Sequence, residues 1–239
     1  MALSGVYELF NRMWCNQSVW IYSDPHFNDS ELSKGINRPT AEEQVARINK
    51  YVGKKDTLII LGDVGDIEYV RKLRGYKVLI CGNHDKGATK YKRTKLRKKF
   101  SDDVYTKESV YKELRDEYPN YKITIEEDCF DLRDRPFTYL EATIDNSLFD
   151  EVYEGPLIIG EKLILSHEPL HIDGFFNIHG HDHKGHFRPD HLNVCSDVID
   201  YTPVSMNELL KHGLLADVKT VHRTTIDIAT ERKKKRHHR

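Results

Sequence analysis

No two of the four cysteines, at positions 15, 81, 129 and 195, are close enough to form a C-x-x-C pair. Their scatter argues against both a zinc knuckle and a disulfide framework, and fits a reduced cytosol. An excess of one charge is also missing, since 37 Lys and Arg stand against 38 Asp and Glu. Nothing in the chain as a whole therefore pulls it toward nucleic acid or an anionic surface, and polyanion binding would need local patches. Long apolar runs are absent too. None approaches transmembrane length, and the opening MALSGVYELFNRMW lacks the charged start and continuous apolar core of a signal peptide. The expectation is a soluble cytoplasmic protein with no membrane engagement.

What the 239 residues do contain is a set of short apolar runs rich in β-branched residues: SVWIY at 18–22, TLIIL at 57–61, KVLI at 77–80 and KLIL at 162–165. FFNI at 175–178 and LNVC at 192–195 are weaker members. The stronger runs have the pattern of strands buried on both faces. Helix signals with caps lie between them. Thr40 and Glu43 form a capping box ahead of Val45, Ile48 and Val52, Asp66 caps a short segment ended by Gly75, and Ser205 with Glu208 precedes Leu209 and Leu210. Strands alternating with helices predict an α/β layered core.

One main domain, 1–239, is expected, with an α+β insertion over 86–146 that breaks this rhythm. Within it, residues 86–100 carry many bases and no acid, and the run 86–99 reads as a solvated helix face. Thr106 is placed to cap a helix bearing Val110, Leu114 and Tyr118, and 121–125 with 137–140 to form a small hairpin. The final RKKKRHHR, 232–239, reads as a disordered basic tail.

Five of the runs end alike. SVWIY leads into Asp24 and His26, TLIIL into Gly62-Asp63, and KVLI through Cys81 into Gly82-Asn83-His84-Asp85. KLIL leads into Ser166-His167, and FFNI into His179-Gly180-His181-Asp182-His183. Ligands of open α/β sheets bind outside the carboxyl ends of strands, so these five clusters describe one site. Imidazole and carboxylate together suit zinc, iron, manganese or nickel, and the set is large enough for two metals sharing a bridge.

The ordered series D-x-H, G-D, G-N-H-D, H and G-H-x-H resembles the calcineurin-like metallophosphoesterases, over roughly 19–85 and 149–208. NRP after the first motif, GPLIIGEKLILSHEP and NVCSDVIDYTPVSMNEL also have counterparts in the small prokaryotic and phage-type members. The resemblance implies a two-sheet β-sandwich flanked by helices, with the insertion as a cap or lid. It implies that Asp24, His26 and His183 hold one metal, that Asn83, His167 and His181 hold the other, and that Asp63 bridges them. His84 would face the substrate, with Asp85 orienting its ring. The cofactors implied are two divalent ions among Mn, Fe, Zn and Ni, with Mn favoured. Two such ions about 3.5 to 4 Å apart give a bridging hydroxide near neutral pH that can attack phosphorus in line.

The implied activity is phosphoric ester hydrolysis, with a diesterase preferred because His84 supplies an acid for a poor leaving group. The substrate class is a phosphate ester, extending to nucleotides through the basic run, where Lys86 and Lys90 are candidate phosphate contacts. A nuclease holding DNA or RNA on the insertion and tail is the alternative, as is a catalytically silent metal-binding scaffold of the same fold. One departure concerns the residues after His26-Phe27: small members often carry Gly-His there, and this chain has Asn28-Asp29. His171, His186, His191, His212 and His222 read as surface or satisfied core residues, and His179 as core packing.

Overall fold

Each apolar run becomes a short, almost fully buried strand, and the strands sort into two mixed sheets. The structure is a computed structural model that describes residues 18–30, 38–85, 95–119, 121–131, 136–159, 162–216, 218 and 228. The chain divides into two compact units, 1–87 with 149–239, and 88–148.

In the larger unit the first sheet has the order β12-β1-β2-β3-β7. Strands β1 (Val19–Tyr22), β2 (Thr57–Ile60), β3 (Tyr76–Ile80) and β7 (Glu151–Tyr153) are parallel, and β12 (Val204–Ser205) runs antiparallel at the edge. The second sheet, ordered β11-β10-β9-β8, is built from β8 (Leu157–Ile159), β9 (Leu163–Leu165), β10 (Phe176–His179) and β11 (His191–Asn193), with the last three parallel. Val19, Ile21, Ile59, Leu61, Val78 and Ile80 of the first sheet share one apolar cluster with Leu157, Leu163, Leu165 and Ile178 of the second. The two sheets therefore pack on a common core, as in a sandwich. Because their parallel strands point the same way within each sheet, the loops after them gather at one end.

Helix α1 (Ala41–Tyr51) covers this sheet unit with Val45 and Ile48 buried. Thr40 accepts from the Glu43 N–H while the Glu43 carboxylate accepts from the Thr40 N–H, the capping box expected from sequence. Asp66 caps as expected, but the segment it starts, Ile67–Lys72, is a 3₁₀ helix. After β12, Ser205 accepts from the Glu208 N–H at the start of the short final helix, Met206–Lys211.

The smaller unit is a three-stranded antiparallel sheet, β4 (Lys95–Ser101), β6 (Pro136–Asp145) and β5 (Lys122–Asp131) in that order, with one helix, α2 (Lys107–Glu117). Val110 and Leu114 of α2 are buried with Leu140, Ala142 and Ile144 of β6. This corrects the reading of 86–99 as a helix face, because its described part is a strand. Arg97 and Lys99 are exposed while Lys98 and Phe100 are half-buried, a two-residue period that pairing with β6 over seven residues enforces. The basic tail lies outside the described residues. Among the described residues no helix is long and apolar enough to cross a membrane.

Candidate metal centre

The loops following β1 and β2 continue their parallel pairing beyond the strands. The Asp24 N–H donates to the Gly62 carbonyl, His26 to Asp63 and Phe27 to Val64. From the other sheet, the Gly180 N–H donates to the His167 carbonyl, and Ser196 donates to Ser23 across the two sheets. These bonds bring the strand-end residues into two groups whose candidate ligand atoms lie within 4.8 Å of one another: Asp24, His26 and His183, and Asp63, His167 and His181.

The two carboxylates are held alike. One oxygen of Asp24, Oδ2, accepts from the His181 N–H at 2.8 Å, and one oxygen of Asp63, Oδ1, accepts from the His84 N–H at 3.0 Å. Each anchored carboxylate turns its other oxygen toward imidazoles. Asp24 Oδ1 lies 3.9 Å from His26 Nε2 and 3.9 Å from His183 Nε2. Asp63 Oδ2 lies 3.7 Å from His26 Nε2, 3.3 Å from His167 Nε2 and 3.9 Å from His84 Nε2, so it touches both groups. Asn83 Oδ1 is 2.9 Å from His167 Nε2, and His181 Nδ1 is 3.1 Å from the same nitrogen.

Asp24 Oδ1 and His26 Nε2 are fully buried and have no hydrogen-bond partner. An unpartnered buried carboxylate oxygen costs free energy unless a cation satisfies it, so the donor set fits a metal on chemical grounds. Backbone strain points the same way. Asp24, His26, Asp63 and His181 all have positive φ, at 54°, 41°, 50° and 64°. Non-glycine residues there cost about 1 to 3 kcal/mol each and concentrate where function requires them.

Burial grades the site from floor to rim. Asp24, His26, Asp63 and His167 are buried, whereas Asn83, His84 and His181 are exposed. The His84 ring stands edge-on to His26 with centroids 5.6 Å apart. Burial pushes the His26 imidazole below its ordinary pKa, against the pull of Asp24 and Asp63. For His167, burial acts downward too, but its hydrogen bond to Asp63 and the charges of Asp24 and Asp63 win, raising it to about 9. Burial opposes ionisation of Asp63, and the His167 hydrogen bond and charge override it, so that this carboxyl stays below its usual range.

All seven expected ligands, Asp24, His26, Asp63, Asn83, His167, His181 and His183, converge here, with His84 at the rim. Asp85 is engaged with backbone amides. Its buried carboxylate accepts from the backbone N–H groups of Asp63 (2.6 Å), Gly82 (3.0 Å) and Val64 (3.3 Å), which braces the loops bearing Asp63 and Asn83. Lys86 and Lys90 lie outside the described residues.

Sequence reasoning passed over four supporting residues. Asp197 Oδ2 meets His183 Nδ1 at 2.5 Å, while Arg38 grips both Asp197 oxygens at 2.7 and 2.9 Å. The Tyr201 hydroxyl donates to the same carboxylate. A carboxylate on the far nitrogen of a ligand histidine fixes its tautomer and raises its basicity, and the hydrogen bond to Asp197 does raise His183. Asp29 Oδ2, 3.6 Å from His26 Nδ1, occupies the corresponding position for that histidine. Arg38 and Asp197 belong to the NRP and NVCSDVIDYTP runs, so their location was visible in the sequence but their role was not.

No family model matches the chain. It is similar to the uncharacterized protein MJ1445 of Methanocaldococcus jannaschii, at 26% identity over 217 residues that span 82% of this chain and 90% of that protein. Among solved structures, that of the protein of unknown function AQ665 from Aquifex aeolicus aligns with a TM-score of 0.48 and 23% identity, over 82% of this chain and 99% of that one.

Proposed function

We propose that this chain is a phosphoric ester hydrolase of the calcineurin-like metallophosphoesterase type, acting on diesters with two divalent metals. The observation that carries the reading is the pair of anchored carboxylates, Asp24 and Asp63, each turning one oxygen into a cluster of imidazoles, with Asp24 Oδ1 and His26 Nε2 buried and unpartnered. Asp24, His26 and His183 would hold one ion and Asn83, His167 and His181 the other, with Asp63 common to both. When bound, such ions supply a nucleophile at neutral pH and neutralise phosphoryl oxygens.

The chain's own residues supply the rest. His84, exposed at the rim, is the group that can donate a proton to a leaving alkoxide or a hydrogen bond to a phosphoryl oxygen. Asp85 keeps the Asp63 and Gly82 amides, and so the carboxylate and His84, in register. Arg38 and Asp197 hold His183 in its tautomer. Nothing among the described residues favours the nuclease alternative. Arg97 pairs with Glu141 at 3.2 Å and Lys98 with Glu117 at 2.7 Å, so these bases of the run are neutralised within the insertion.

The test compares bis-(p-nitrophenyl) phosphate with p-nitrophenyl phosphate, with added manganese, for wild type and His84→Ala. The reading expects metal-dependent cleavage that favours the diester and falls about 10²- to 10⁴-fold in the variant, the range for loss of a positioned proton donor. Metal uptake without cleavage of either ester would move the chain to the scaffold reading.

A further inference from the structure

A second group of candidate ligands, sharing no residue with the first, lies on the other sheet. His171 in the loop after β9, Asp190 just before β11 and His191, the first residue of β11, bring one ligand atom each within 4.8 Å of one another. His171 Nδ1 is 2.7 Å from Asp190 Oδ2, and His191 Nε2 is 3.8 Å from the same oxygen. These spacings bracket the roughly 3.3 Å between ligand atoms of a tetrahedral ion with bonds of about 2.0 to 2.1 Å.

The His191 side chain is only 5% exposed, and its Nδ1 is buried with no hydrogen-bond partner. Its ring stacks on His171 with centroids 6.1 Å apart and meets the buried His179 edge-on at 5.4 Å. A buried imidazole held by ring contacts on two sides, with Nε2 turned toward Asp190, is pre-placed as a ligand.

A cation already stands at the group. The Arg188 guanidinium approaches His171 Nδ1 at 3.2 Å through Nη2 and Asp190 Oδ1 at 3.4 Å through Nε. Its side chain is half-exposed and on a flexible stem, so it can leave toward solvent. Asp173, 3.6 Å from His171 Nε2, adds negative charge on the outer side.

We infer that His171, Asp190 and His191 form a separate binding site for a single borderline transition-metal ion of the zinc type, with Arg188 as the resident cation that such an ion displaces. Two imidazoles and one carboxylate are a ligand set suited to zinc, and a water would complete four-coordination. The inference departs from the sequence reading of His171 and His191 as surface or satisfied core residues. It does not rest on the phosphoesterase assignment.

The test is zinc content after loading and gel filtration, read as a difference between variants. The His171→Ala/Asp190→Asn double variant should retain one zinc fewer per chain than wild type, and Asp63→Asn should leave that difference intact. Arg188→Ala should tighten zinc binding at this site several-fold by removing the competing charge. Both altered sites are exposed or half-buried, and an unchanged far-ultraviolet circular dichroism spectrum would verify folding. Equal zinc content in wild type and double variant would overturn the inference, as would weaker zinc binding in Arg188→Ala.

Discussion

Asp63 uses one oxygen to hold itself still and offers the other to both ligand groups. The division of labour continues outward at His183, whose Nδ1 is held by Asp197 while Nε2 faces Asp24. Asp197→Asn is nearly isosteric but removes the charge and one of the two oxygens that accept from Arg38. It should weaken manganese binding or activity about 10- to 100-fold with folding preserved, as loss of such a partner typically does. Calorimetric titration with manganese would measure it, and wild-type affinity in the variant would reduce Asp197 to a packing residue. At this scale the candidate ligands were legible in sequence because each follows an apolar strand closely. Arg38 and Asp197 were not, since they act through a hydrogen-bonded ion pair formed only after folding, between positions 159 apart.

At the scale of elements, the site depends on loops pressed so tightly together that side chains are excluded between them. A Cβ at Gly180 would collide with Ser23 Oγ and Asp24 Oδ2, and one at Gly82 with Asp63 Oδ1. Gly180→Ala should therefore destabilise by about 1 to 3 kcal/mol, the usual cost of overpacking, and should displace Asp24 from its ligand position. Urea denaturation together with manganese titration would show both effects. Wild-type stability would mean that the loops yield more easily than their backbone bonds suggest.

The runs with strong apolar character, β1, β2, β3 and β9, were legible as strands, and so were the caps Thr40, Asp66, Thr106 and Ser205. Strands β7, β8 and β12 have only two or three residues, too few for any periodicity to register. The hairpin of β5 and β6 runs ten residues on each side rather than the expected four or five, because cross-strand pairing carries charged residues that local propensity would stop at. The same pairing places the described end of the basic run, 95–100, in β4.

For the molecule as a whole, the two compact units each have their own apolar cluster, so their stabilities are separately testable. Leu114→Ala removes a fully buried side chain from the smaller cluster and should cost about 2 to 5 kcal/mol there. Hydrogen exchange should report the loss in α2 and β6, and uniform loss of protection across β1 to β3 as well would argue against separate cores. The near-neutral balance of 37 bases and 38 acids bears on the substrate. Diester kcat/KM should change only a few-fold between 50 and 200 mM salt, whereas a nuclease making 6 to 10 phosphate contacts would lose binding by about 10³ or more.

The most direct test of the central claim is a titration of metal-free protein with manganese, following bis-(p-nitrophenyl) phosphate hydrolysis. The His171→Ala/Asp190→Asn background is used, so that only the strand-end centre is counted. Activity that rises to a plateau at two equivalents per chain, and is abolished by Asp63→Asn, is the predicted result. A plateau at one equivalent, or no hydrolysis with both ions bound, would contradict a two-metal phosphodiesterase.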